Sequence, residues 1–429
     1  MERKEIKEYL QILKTEISPA LGCTEPAAVA LAVAYAAKEL GCPVQTVRVN
    51  VSQYIFKNGM NVGIPGTGMI GLEIAAALGS LSAAPEKQLL VLNGLSDGQK
   101  QAAKKMSAEK AVKVGIADTE EKIYIQAIVE NGSKTAQAVI AGTHTNLVLL
   151  KRGEQVIEEH PLEKQDTAGG EEEKAYAMTL EKIVDFVDSV EDEELLFLKE
   201  VIRLNRAIAE EGLTNDYGLM VGKNILKSEH TGLVSNDIAS FAVACTAAAA
   251  DARMAGCEKP VMSAAGSGNQ GLTASLPVAS IGWKLELPTE KVLKALALSI
   301  LVTIHTKHYI GRLSVLCGCS IAAAIGSCCG IIYLLDGNIE QMKYGINSMV
   351  ADISGVVCDG AKSGCALKIA TAVNSAVRAA TMALNGIGAN AYDGIVAFDV
   401  ETTLANLGTL GNQGMSNTNA TILNMMLDK

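Results

Sequence analysis

The stretch Glu121–Gly142, EKIYIQAIVENGSKTAQAVIAG, decides the fold class. Two short runs rich in Val and Ile meet at Asn131-Gly132, a pair suited to the positive φ angles of a tight hairpin. Upstream, VQTVRVNVS (44–52), NVGIP (61–65) and KVGIA (113–117) read as further strands, with helices at about 69–83 and 97–108. This predicts an α+β domain over 44–157. Residues 1–43 read as two helices, the second capped at Thr24 with Pro26 in its first turn, and are expected to pack on the helical domain. The acidic run 158–173 reads as a linker. From 174 to 429 the pattern is helical, interrupted by glycine-rich loops. The predicted fold is therefore α+β, with an all-helical catalytic domain and a smaller α+β domain near the N-terminus.

The composition is 49% hydrophobic but only 4% aromatic, with 40 glycines, so helices can approach one another closely. A net charge of −10 argues against a nucleic-acid surface, which needs clustered Lys and Arg. The opening MERKEIKEYLQILKTEI has no apolar run of signal-peptide type. Ten cysteines without a secretion signal point to reduced thiols and a cytoplasmic protein. The uncharged run 313–335 is long enough to span a bilayer, but its Gly, Ser and Cys content reads as a buried helix with a functional loop. No membrane association is expected.

Gly66-Thr67-Gly68-Met69-Ile70-Gly71 matches the G-x-G-x-x-G dinucleotide fingerprint. Pro65 directly precedes it, and QLLVLNG downstream ends in Asn93-Gly94 without the expected acidic residue. An NAD-dependent oxidoreductase is thus the lesser alternative to a tight, closely packed turn.

Six of the ten cysteines fall between 317 and 365. Their spacing lacks the two close pairs of a zinc ribbon. CDGAKSGC, with Cys358 and Cys365, is a loop of the kind that holds an iron–sulfur cluster on thiolates, and Cys317-Gly318-Cys319 follows RLSVL. A cluster on three ligands leaves one iron open as a Lewis acid, which suits elimination from a small anionic substrate. Cys42, Cys245, Cys257, Cys328 and Cys329 read as core thiols. AAGSGNQGLTASLPV (264–278) runs from a turn into a helix and offers aligned amides to a carboxylate.

ALGCTEPAA, KNG…PGTGMIGLEIAAALG, GTHTN, GSGNQG, RLSVLC, CDGAKSGC and FDVE occur in this order between residues 16 and 412. Together they resemble the L-cysteine desulfidases, the iron–sulfur cysteine desulfhydrases related to the catalytic chain of iron–sulfur L-serine dehydratase. The resemblance implies conversion of L-cysteine and water to pyruvate, ammonia and hydrogen sulfide, without pyridoxal phosphate. It implies a 4Fe–4S cluster on Cys317, Cys358 and Cys365, with Cys319 as an alternative to Cys317, and Cys23 as the thiol that moves the α-proton. At the start of a helix, Cys23 is expected to have a lowered pKa. Asn58, Ser267, Asn269 and Gln270 are implied as substrate-facing, with Lys57, His144 and Arg312 beside them; His305 and His308 stay unassigned. L-serine dehydration on the same cluster is the alternative activity. The expected partner is a small amino-acid substrate, with a homodimer left open as the assembly.

Overall fold

Alternation along Thr46–Val51 sets the sheet: Val47, Val49 and Val51 are buried while Thr46 and Arg48 face outward, the period-two pattern of a strand with one covered face. The structure is a computed structural model and describes residues 1–160, 176–231, 233–311 and 314–428. The first part of the chain runs α1 (Arg3–Glu16), β1 (Ile17–Ala20), α2 (Thr24–Leu40), β2 (Thr46–Val51), α3 (Gln53–Gly59), β3 (Gly63–Ile64), β4 (Met69–Ile70), α4 (Leu72–Ser82), α5 (Asp97–Ala108), β5 (Val112–Ile116), β6 (Tyr124–Asn131), β7 (Lys134–Ala141), β8 (Leu147–Arg152) and β9 (Gln155–Glu159). The second runs α6 (Leu180–Ser189), α7 (Lys199–Thr214), α8 (Val221–Lys227), α9 (Ile238–Met254), β10 (Val261–Ala264), α10 (Gly268–Lys284), α11 (Thr289–Ile310), α12 (Ala322–Leu334), α13 (Ile339–Ile353), α14 (Cys365–Leu384), α15 (Val400–Thr409) and α16 (Thr418–Leu427). The fold is α+β with a mainly helical body, as the sequence predicts.

Six strands form one sheet in the order β5-β2-β6-β7-β8-β9. β2 and β5 are parallel and the other pairs antiparallel. The β6–β7 hairpin turns at Asn131-Gly132, with Gly132 at φ +57°. α2 and α4 cover one face of this sheet, sharing a core with Val47, Val49, Ile125 and Ile140. A Cβ added at Gly79 of α4 would lie 2.3 Å from the Ala30 carbonyl oxygen of α2. Gly79→Val therefore forces the two helices apart. The expected cost is about 1–3 kcal/mol, to be read as a lower midpoint in thermal unfolding; an unchanged midpoint would contradict this packing.

The placement of residues 1–43 differs from the expectation. α1 joins the helical core through Ile6, Leu10 and Leu13, but α2 belongs to the sheet's core. The physical reason is that α2 is apolar on every side, so its sequence carries no stripe to say which neighbour it faces. β1 and β10 are two strands that the sequence reading missed, paired antiparallel from Ile17↔Ala264 to Ala20↔Val261. They tie the N-terminal segment to the helical body. β8 and β9 extend the sheet through residue 159, and most of the expected linker lies outside the described residues.

The helical body centres on α10, α11 and α12, whose residues are buried on nearly all sides. α12 is the buried helix expected within 313–335. It holds Cys328 and Cys329 in the core, where burial pushes both thiols up. Among the described residues no helix is long and apolar enough to cross a membrane. The G-x-G-x-x-G stretch is a two-stranded hairpin, β3 with β4, with Gly66 and Gly68 at positive φ. It stands outside the main sheet, so the parallel βαβ frame of a dinucleotide site is not formed there.

Candidate functional site

The two cysteine loops meet through an isolated antiparallel bridge, Leu316↔Val357. The Cys317 amide donates to the Val356 carbonyl at 2.9 Å, and the Cys358 amide donates to the Val315 carbonyl at 2.7 Å. These bonds set Cys317 and Cys358 side by side although forty residues separate them. Cys365 opens α14, and its sulfur lies 3.7 Å from the Gly360 carbonyl. Gly360 is at φ +89°, and a Cβ there would lie 2.2 Å from the Lys57 carbonyl oxygen, so this loop presses directly onto α3. Cys23, Val62 and Met254 form one small cluster against which Cys365 packs. The opening segment, the sheet-bearing part and the helical body therefore converge on these thiols.

All ten cysteines are free. Cys317 and Cys319 have their sulfurs 3.4 Å apart, and Ser320 Oγ lies 3.4 Å from the Cys317 sulfur. The hydrogen bond with Cys319 draws the Cys317 thiol down to about 6, against the opposing effect of burial. Its partner in that bond, Cys319, itself buried, is pushed well up. Burial raises Cys358, and pushes Cys365 up to about 12; an ionised Cys317 adds to both. The three thiols thus lie within electrostatic reach of one another. Among the described residues no three His, Cys, Asp or Glu side chains close on a point where a single metal ion would sit.

Cations surround the group. Lys57 Nζ donates to the Cys358 carbonyl at 3.0 Å and to Asn419 Oδ1 of α16 at 2.6 Å. Burial lowers its pKa, while Cys358 and Asp359 oppose that. Lys368 donates to the Val357 carbonyl at 2.8 Å and pairs, as Lys362 does, with Asp359. Arg253 bridges Asn269 Oδ1 at 3.0 Å and the Gly22 carbonyl at 2.7 Å.

Cys23 is the N-cap of α2 and makes no side-chain cap bond. Its expected low pKa is not found. Burial pushes the thiol up, with neighbouring Arg253 pulling the other way. Desolvation of a thiolate outweighs the helix dipole at this position.

The substrate-facing candidates fall in two groups. Asn58 follows Lys57 on α3, and its buried Oδ1 has no partner. Ser267 caps α10 by position, without a side-chain bond, and Asn269 sits in the first turn. Gln270 donates to the Ala264 and Ala265 carbonyls at 3.2 and 2.9 Å, leaving Oε1 without a partner. That oxygen lies 2.4 Å from where a Cβ on Gly318 would stand, which brings the GSGNQG turn to the Cys317–Cys319 loop. His144 sits in the turn between β7 and β8. This is the end of the sheet where the Ser52 amide, just before α3, donates to Tyr124. Arg312 lies outside the described residues. His305 bonds Glu401 at 2.6 Å; Tyr309 and the Leu180 amide reach the same carboxylate at 2.9 Å. The Glu of FDVE thus joins α6, α11 and α15.

Sequence reasoning missed Arg253, Lys368 and Asn419. Arg253 had a signal: with Asp251 it is one of two charges in the small-residue helix Ile238–Met254, and a lone charge in a run bound for the core is seldom idle.

A model of the serine dehydratase alpha chain matches residues 86–424, most of the chain and all three cysteines of the two loops. The chain belongs to the serine dehydratase alpha chain family. Among its relatives, a protein of Oleidesulfovibrio alaskensis called UPF0597 is 43% identical over 429 residues, the full length of both. A UPF0597 protein of Clostridium perfringens is 42% identical, with 98% of each chain covered. One from Bacteroides thetaiotaomicron is 42% identical over 100% of this chain and 99% of its own. Membership in the serine dehydratase alpha chain family places the chain among dehydratase-type lyases.

Proposed function

We propose that the chain is an iron–sulfur lyase that eliminates sulfide from L-cysteine, with water, to give pyruvate, ammonia and hydrogen sulfide. The observation that carries this reading is the junction of the Cys317 and Cys358 loops, with Cys365 packed against Cys23. Unpaired cysteines throughout suit a reducing cytoplasm.

Cys317, Cys358 and Cys365 fit a 4Fe–4S cluster. They are free thiols from two joined loops, with Lys57 and Lys368 nearby to balance the negative charge of thiolates. Thiolates on three corners of such a cluster stand on the order of 6–7 Å apart, so the cradle need not close on one point as a mononuclear site does. When bound, the cluster supplies an iron without a protein ligand, a Lewis acid that makes sulfide a better leaving group.

The remaining steps belong to the chain. Cys23, as thiolate, takes the proton from Cα. The electrons of that C–H bond form the Cα=Cβ double bond as the C–S pair departs with sulfide. The resulting aminoacrylate tautomerises to an imine, which water hydrolyses to pyruvate and ammonia. Asn58 Oδ1 and Gln270 Oε1, buried acceptors without partners, suit the substrate's ammonium. The same residues would eliminate hydroxide from L-serine, the reaction in the family's description.

Anaerobic purification with iron and sulfide analysis, followed by pyruvate assays on both amino acids, tests the proposal. Iron and sulfide matching one 4Fe–4S cluster per chain are expected, with a higher kcat/KM for L-cysteine and no need for pyridoxal phosphate. Pyruvate from L-serine alone would replace the first reading by the second. No pyruvate from either would end both.

A further inference from the structure

Arg253 is only 7% exposed, yet no carboxylate pairs with it among the described residues. Its two terminal nitrogens are held by neutral oxygens, Asn269 Oδ1 and the Gly22 carbonyl, and its Nε has no acceptor. Its ionisable neighbour, the Cys23 thiol, is itself pushed up by burial, and a buried cation with no carboxylate to balance it is costly, because low-dielectric surroundings do not replace the water it has lost. The guanidinium lies along the first turn of α10: Nε is 2.4 Å from where a Cβ on Gly268 would stand, and the next residue accepts from the guanidinium. In that turn Ser267 makes no side-chain cap bond, and the Gly268, Asn269 and Gln270 amides have no acceptor among the described residues. Free amides at a helix N-terminus attract anions. A buried cation without a carboxylate and an uncapped helix start therefore lie side by side.

We propose that Arg253 and the first-turn amides of α10 form the subsite for the α-carboxylate of the amino-acid substrate. This rests on the lyase reading in that an α-amino acid is the ligand. The Gly22 carbonyl on the same guanidinium fixes Cys23, the next residue, relative to the bound carboxylate. The α-carbon, one bond from that carboxylate, is then held close to the thiol. Neither D-serine nor L-serine would be distinguished from L-cysteine here, because the subsite touches only what they share.

Two small thiols test it by calorimetry on the anaerobically purified holoenzyme. 3-Mercaptopropionate has the thiol and the carboxylate but no amine; cysteamine has the thiol and the amine but no carboxylate. Arg253→Gln is expected to weaken 3-mercaptopropionate roughly 10–100-fold, the worth of a hydrogen bond to a charged group, and to leave cysteamine unchanged. With L-cysteine as substrate, KM should rise by a similar factor. Arg253→Lys, which keeps the charge and is the safer variant for folding, should show a smaller loss of the same selectivity. Equal weakening of both probes, or no change in either, would overturn the subsite. So would a fall in kcat with both affinities intact, since Arg253 would then serve Cys23 alone. Failure of the unaltered protein to make pyruvate while it keeps the carboxylate-dependent affinity would count against the lyase reading and not against the subsite.

Discussion

Cys23→Ala is expected to keep its iron and its brown colour and to lose pyruvate formation by roughly 10²–10⁴-fold, the usual worth of a positioned general base. The two readouts separate because Cys23 holds no backbone in place. It caps α2 by position alone, so Ala removes a sulfur without undoing the helix start. What Ala cannot do is accept the α-proton. Burial pushes the Cys23 thiol up, which makes its thiolate a strong base once formed, while Arg253 beside it favours that form. Cys23→Ser should rescue poorly, since a hydroxyl is far less acidic than a thiol. Full activity in Cys23→Ala would mean another base, and Lys57 is the next to test. Loss of iron would mean that Cys23 is a ligand, and the cluster would then have no open iron.

Much of the frame around this site was legible because its signals are local. The Asn131-Gly132 hairpin, the alternation of Thr46–Val51 and the start of α2 at Thr24 each depend on neighbours in sequence. The β1–β10 pair was not legible. ISPA and VMSA are four residues each and lie some 240 positions apart, and ISPA contains a proline. Only the folded context gives either a strand's identity. The contact of Lys57 with Asn419, 362 positions along the chain, has the same character. GTGMIG shows the opposite failure, a motif with a strong signal and several backbones that satisfy it. Glycines permit a phosphate-binding turn, but here Gly66 and Gly68 turn a two-residue hairpin. The cysteine loops were found by composition, yet their mutual placement depends on the Leu316↔Val357 bridge. Two residues of pairing between loops leave no periodicity to read.

Cys358→Ala and Cys365→Ala should each lose iron and, with it, essentially all activity, whereas Cys319→Ala should keep both. A ligand contributes the free energy of holding the metal, and removing one thiolate of three leaves a cluster that air or chelators strip readily. The contrast with Cys319 comes from the short contact between its sulfur and that of Cys317. Metal ligation requires the thiolate. The contact with Cys319 draws Cys317 down to about 6, while the same contact and burial push Cys319 well up. Cys317 is also the one whose backbone is bonded to the Cys358 loop, through Val356. The division predicts that Cys319→Ala retains iron and sulfide per chain, with at most a shift in the cluster's visible absorption from the lost hydrogen bond to the Cys317 sulfur. Should Cys319→Ala lose iron while Cys317→Ala keeps it, the two exchange roles.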